Sequence, residues 1–115
     1  MTSVSLNELN SGMLFECSGH AGAGEKGKDI VCAGVSALVI ALTERMIDLE
    51  SERLVRVESF HIADGEISLE VGWQDSFGRS AALGVFDTVC AGLSRIAEMY
   101  PENVCCNFYE RGENT

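Results

Sequence analysis

His20 and Cys32 are the two residues whose types and spacing suggest chemistry in this sequence, and a segment rich in glycine separates them. A cysteine thiolate is a strong nucleophile, and a neutral imidazole can accept the thiol proton. The imidazole can then return that proton to a leaving amine, which completes the two halves of peptide hydrolysis. The pair therefore predicts a protease with Cys32 as nucleophile and His20 as general base and acid.

A helix is expected to position Cys32. Apolar residues recur at spacings of three and four over residues 30–50, which is typical of a helix, and Asp29 is a suitable N-cap. Cys32 would then lie in the first turn, where free N–H groups and the helix dipole favour a thiolate and can also bind an oxyanion. Ser36 follows one turn later on the same face.

His20 depends on a different element. It follows an expected strand and stands near the start of a glycine-rich loop, residues 19–28, in which four of ten residues are glycine. This loop has to fold His20 back over the helix start before the imidazole can reach Cys32.

The rest of the pattern predicts one α+β domain over residues 1–115, with two helices on one face of a mostly antiparallel sheet. The expected order is ββαββαβ, because alternating apolar residues and turn residues indicate hairpins. The expected strands are 4–7, 13–18, 54–62, 66–73 and 104–109, and the second helix is 81–100.

Charge and composition limit the functions of the chain. The net charge is -10, from 18 acidic and 8 basic residues, which disfavours direct nucleic-acid binding and favours a basic partner. No uncharged apolar run reaches eighteen residues and the start lacks a secretory signal, so we expect a cytoplasmic protein without membrane association. The five cysteines form no disulfide framework and are expected to remain thiols.

Two strings, Gly-His-Ala-Gly at 19–22 and GKDIVCAGVSAL at 27–38, resemble the signature of the bacterial ribosomal-processing cysteine proteases, the Prp family. The resemblance implies that His20 and Cys32 are base and nucleophile. It also implies that Gly19, Asp29 and Ser36 match positions needed for activity, with Asp29 ordering either His20 or the helix start.

The same resemblance implies a substrate, the N-terminal segment of a ribosomal protein precursor, whose short extension the family removes from a large-subunit protein. It implies a homodimer with a flexible loop over the active site, and no cofactor. Gly34 departs from the pattern, because the family commonly has alanine there.

The sequence leaves four alternatives open. The segment 22–29 nearly spells a phosphate-binding loop, but Asp29 replaces the hydroxyl residue that magnesium needs. Cys17, His20 and Cys32 would be three zinc ligands, yet no second compact ligand pair accompanies them, so no metal is expected. His61 is either a third catalytic group or an ordinary strand histidine. The remaining alternative is a non-enzymatic, ribosome-associated interaction module that binds a basic partner through its acidic surface and in which Cys32 is only structural.

Overall fold

The computed structural model describes residues 1–24 and 29–108, and within them the chain follows the expected order ββαββαβ. The elements are β1 (Thr2–Leu9), β2 (Gly12–Ser18), α1 (Ile30–Ser51), β3 (Arg56–Ala63), β4 (Glu66–Gly72), α2 (Ser76–Met99) and β5 (Val104–Phe108). Most of the expected glycine-rich loop is described, but residues 25–28 lie outside the described residues, as do the last residue of the expected final strand and the tail.

The strands form a single mixed sheet in the order β3-β4-β2-β1-β5. The β1–β2, β2–β4 and β3–β4 pairs are antiparallel, whereas β1 and β5 run parallel. The sheet is therefore mostly antiparallel, as predicted. The β2–β4 pair matters most for function, because its register aligns Ser18 with Glu66 and so brings the end of β2 beside the β3–β4 turn.

Both helices pack on one face of this sheet. Register places Leu6, Phe15 and Leu69 side by side on three neighbouring strands, and all three are buried. They join a single core with the buried stripes of both helices. In α1 the stripe is Val31, Val35, Val39, Leu42, Met46 and Leu49. Burial of apolar surface at about 25 cal/mol per Å² is the main force that holds the two layers together.

The second helix begins at Ser76, five residues earlier than the sequence pattern predicts. Asp75 caps it by accepting the Gly78 N–H at 2.9 Å. Gly78 is buried, and a Cβ there would overlap the carbonyl oxygen of Leu54. Gly78 is therefore required by close packing inside the first helical turn.

Both helices are long and apolar enough to cross a membrane by length and composition alone. Each of them contributes a buried stripe to the core, and helices buried against a sheet have this composition too.

Candidate active site

The Asp29 side chain organises the start of α1. Its Oδ1 accepts the backbone N–H of Cys32 at 2.9 Å, and its Oδ2 accepts the N–H of Ala23 at 3.0 Å. These hydrogen bonds, the one from Cys32 foremost, lower the pKa of Asp29 from its usual value. Asp29 is thus the helix N-cap, as predicted, and it also ties the loop after β2 to the helix.

The Asp29 cap limits which backbone N–H groups at the start of α1 are available to a substrate. The Cys32 N–H donates to Asp29, so this one group of the first turn is not free to bind an oxyanion in the structure. Cys32 itself is half-buried, so its sulfur remains accessible from the cleft described below.

His20 lies on the opposite wall, against the β3–β4 turn. Its Nε2 is 4.0 Å from Asp64 Oδ1, and its side chain is 62% exposed. Gly65 lies directly under the ring, since a Cβ at that position would be 2.9 Å from Nε2. Within residues 1–24 and 29–108, no hydrogen bond joins the His20 imidazole to the Cys32 thiol.

Gly19 fixes the direction in which the chain leaves β2. Its φ is +90°, and a Cβ would overlap the carbonyl oxygen of Met1. Its N–H donates to the Gly65 carbonyl oxygen at 2.7 Å, and its own carbonyl accepts the Thr2 hydroxyl at 3.5 Å. Gly19 is therefore required by backbone conformation, and it holds the base of the loop against the β3–β4 turn.

A cleft of about 620 Å³ lies between α1, the loop after β2 and the β3–β4 hairpin. This volume falls within the usual range for ligand sites. The structure brings all five sequence-predicted site residues to its wall, namely Gly19, His20, Asp29, Cys32 and Ser36. Ser36 is exposed on the helix side of the cleft, one turn after Cys32.

The β3–β4 hairpin is the part of the site that the sequence did not reveal. Ile62, Asp64, Gly65 and Ile67 all line the cleft, although the sequence pattern identifies only a turn at Asp64 and Gly65. Their contribution depends on the pairing of β2 with β4, which is a long-range contact. The Asp-Gly pair was the one available signal, and it indicates a turn rather than a site.

Two of the alternatives find no support in the described part of the chain. No group of three His, Cys, Asp or Glu residues is arranged to hold a metal there. Burial, and to a lesser degree the nearby Cys32, raises the pKa of the Cys17 thiol, so Cys17 stays protonated at neutral pH.

His61 lies in register with Ser68, on the face opposite Ile62 and Ile67, which corresponds to an ordinary strand histidine.

Comparison with known proteins agrees with this geometry. A family model described as cysteine protease Prp matches residues 1–105. A ribosomal processing cysteine protease Prp of Staphylococcus aureus is 34% identical over 90 residues, covering 78% of this chain and 80% of the relative.

Solved structures match over almost the whole chain. One is the crystal structure of the S. aureus protease with a covalently linked product peptide, with a TM-score of 0.77 and 28% identity. The same protein with a substrate peptide gives a TM-score of 0.70 and 26% identity. Each alignment covers 95% of this chain and 100% of the other.

The fold, the cleft and these matches define a cysteine protease. The chain belongs to the Prp family of cysteine proteases. This assignment decides against a purely non-enzymatic interaction module.

Proposed function

We propose that this protein is an endopeptidase that removes the N-terminal extension from a large-subunit ribosomal protein precursor during ribosome maturation. Cys32 is the nucleophile and His20 the general base and acid. The observation that supports this most strongly is the single cleft that His20 and Cys32 share. The S. aureus relatives are named ribosomal processing proteases, which supports the substrate class.

In this mechanism His20 takes the proton from Cys32 Sγ, and the thiolate attacks the scissile carbonyl carbon. The tetrahedral intermediate collapses to a thioester as the imidazolium gives its proton to the leaving amine. A water molecule, deprotonated by the same imidazole, then hydrolyses the thioester and restores the thiol. Because His20 is largely exposed and makes no hydrogen bond to Cys32 in the described residues, we expect a bound peptide to complete the site by covering it.

Charge supports a basic substrate. The net charge of -10 would attract the lysine- and arginine-rich chain of a ribosomal protein and repel its RNA. The proposal therefore includes no direct nucleic-acid binding, no membrane association, no cofactor and a cytoplasmic location, where such a precursor is made.

We also expect a homodimer. Ile40 and Ile47 stand two turns apart on α1, and about half of each side chain is exposed, at 53% and 50%. Exposed isoleucines on one helix face are suited to burial against a second copy. Sedimentation analysis of the protein and of the Ile40→Glu variant tests this expectation, which requires a dimer in the first case and a monomer in the second.

The protease proposal is tested with peptides that span the N-termini of the host's ribosomal proteins. The wild-type protein, Cys32→Ala and His20→Ala are incubated with them, and products are identified by mass spectrometry. Cys105→Ala is the matched control, because Cys105 is an exposed thiol that does not line the cleft. We expect cleavage by the wild type and the control, and none by Cys32→Ala. Loss of cleavage in Cys105→Ala, or full activity in Cys32→Ala, would overturn the assignment.

A further inference from the structure

We propose that Asp64 is a positioning residue for His20, which holds the imidazole through Nε2 and leaves Nδ1 free to accept the Cys32 proton. This inference rests on the proposed function and adds to it the group that orients the base. The two residues are separated by a helix and a strand in sequence, and they meet only because β2 pairs with β4.

The His20 imidazole lies against the β3–β4 turn. Asp64 Oδ1 lies 4.0 Å from His20 Nε2, and Gly65 packs under the ring, where a Cβ would be 2.9 Å from the same nitrogen. The Gly19 N–H, one residue before His20, donates to the Gly65 carbonyl oxygen at 2.7 Å. Three separate contacts therefore bind the His20 segment to this turn.

The other carboxylates at the cleft are not placed for this role. Asp29 uses both of its oxygens, Oδ1 for the Cys32 N–H and Oδ2 for the Ala23 N–H. Glu66 precedes Ile67 on β4, and alternation along the strand directs Ile67 towards the helices and Glu66 away from them. Among residues 1–24 and 29–108, Asp64 is left as the carboxylate that faces the His20 ring.

The chemistry of imidazole explains what this contact does. A neutral imidazole carries one N–H, and a carboxylate can only accept, so the Asp64 carboxylate 4.0 Å from Nε2 favours the tautomer with the proton on Nε2. Nδ1 then keeps its lone pair for the thiol proton. When Nδ1 takes that proton, the Asp64 charge stabilises the resulting imidazolium, as the third member of a triad does.

The contact is loose in the open cleft. Both side chains are well exposed, at 62% and 86%, and an exposed pair of this kind contributes little to stability. The contact between Asp64 and His20 serves to orient the imidazole. A peptide that displaces water from the cleft would strengthen this pair by lowering the local dielectric constant.

The first test is kinetic and uses Asp64→Ala, Asp64→Glu and the control Asp48→Asn, which removes an exposed charge on α1 outside the cleft. We expect Asp64→Ala to lower kcat by about ten- to a hundredfold with little change in KM, because the base is misplaced while the peptide still binds. Asp64→Glu should recover part of kcat, and Asp48→Asn should behave as the wild type. Unchanged kcat in Asp64→Ala would overturn the proposal.

The second test needs no activity. The chain has only two histidines, so nitrogen NMR of the side chains can compare His20 with the exposed His61 in one spectrum. We expect His20 to hold a larger fraction of the Nε2–H tautomer than His61, and Asp64→Ala to remove the difference. Equal fractions in the wild type would contradict a role for Asp64. If no peptide is cleaved but the tautomer difference is found, the proposed function fails while the contact stands.

Discussion

The carboxylate of Asp29 accepts the backbone N–H of Cys32 at 2.9 Å, so one side chain both caps α1 and fixes the turn that carries the proposed nucleophile. The sequence left two roles for Asp29, ordering His20 or ordering the helix start. The hydrogen bonds to Cys32 and Ala23 favour the second role.

Replacement of the two helix caps separates stability from activity. Asp75 caps α2 in the same way, through the Gly78 N–H at 2.9 Å, but it does not line the cleft. We expect Asp75→Ala to cost about 1 kcal/mol of unfolding free energy with activity retained, because only a cap is lost. Asp29→Ala should lower both the melting temperature and peptide cleavage. Equal activity in the two variants, measured well below their melting temperatures, would contradict a role for Asp29 in the site.

The pH dependence of the Asp29 cap has a definite sign. Its pKa is lower in the folded chain than in the unfolded chain, so the unfolded state binds more protons around pH 4. The stabilisation is therefore present above the unfolded pKa and is lost as pH falls through the folded pKa. We expect the stability difference between the wild type and Asp29→Ala to be constant near neutrality and to shrink below about pH 4. Urea unfolding of both proteins at a series of pH values measures this stability difference. A difference that grows in acid would contradict the prediction.

Two glycines of the loop after β2 provide a test of backbone geometry. Gly19 and Gly22 both have positive φ, at 90° and 72°, but only Gly19 lacks space for a Cβ, whereas nothing lies within 4 Å of one at Gly22. We expect Gly22→Ala to cost about 1 kcal/mol from the backbone alone. Gly19→Ala should cost more and should abolish cleavage, because it displaces the segment that carries His20. Thermal unfolding and peptide cleavage of the two variants compare them directly, and similar behaviour would argue against a specific role for Gly19.

Local sequence patterns determine one part of the fold and of the site, and long-range contacts determine the rest. The α1 stripe and its cap are local patterns, so the position of Cys32 in the first turn follows from residues 29–50. The start of α2 at Ser76 does not follow from the apolar stripe, because the first turn contains Gly78, whose packing against Leu54 is a long-range contact. The contact of His20 with Asp64 was missed for a similar reason, since it follows from the β2–β4 register and from no local pattern.

Cys106 should make the fold sensitive to alkali. Burial, with smaller effects from Cys105 and Cys17, raises the pKa of its thiol to about 11. An unfolded cysteine loses its proton near pH 9, so above that value the unfolded state binds fewer protons and stability falls as pH rises towards 11. We expect Cys106→Ala to lose less stability than the wild type between pH 8 and about pH 10. Cys105→Ala is the comparison variant and should stay closer to the wild type than Cys106→Ala does, because Cys105 has only a smaller effect on the Cys106 pKa. A Cys106→Ala curve parallel to that of the wild type would show that this thiol does not contribute.

Two glycines inside α2 should respond differently to alanine. Gly84 is exposed and nothing lies within 4 Å of a Cβ at that position, so Gly84→Ala should raise the unfolding free energy by about 0.5–1 kcal/mol through helix propensity alone. At Gly92 a Cβ would lie 2.9 Å from Leu38 Cδ1, where α2 packs against α1. We expect Gly92→Ala to lose most or all of that gain, because the end of the Leu38 side chain must shift to make room. Gly92→Ala combined with Leu38→Ala should then be less damaging than the two single changes added together, and strict additivity in urea unfolding would show that the helices do not meet there.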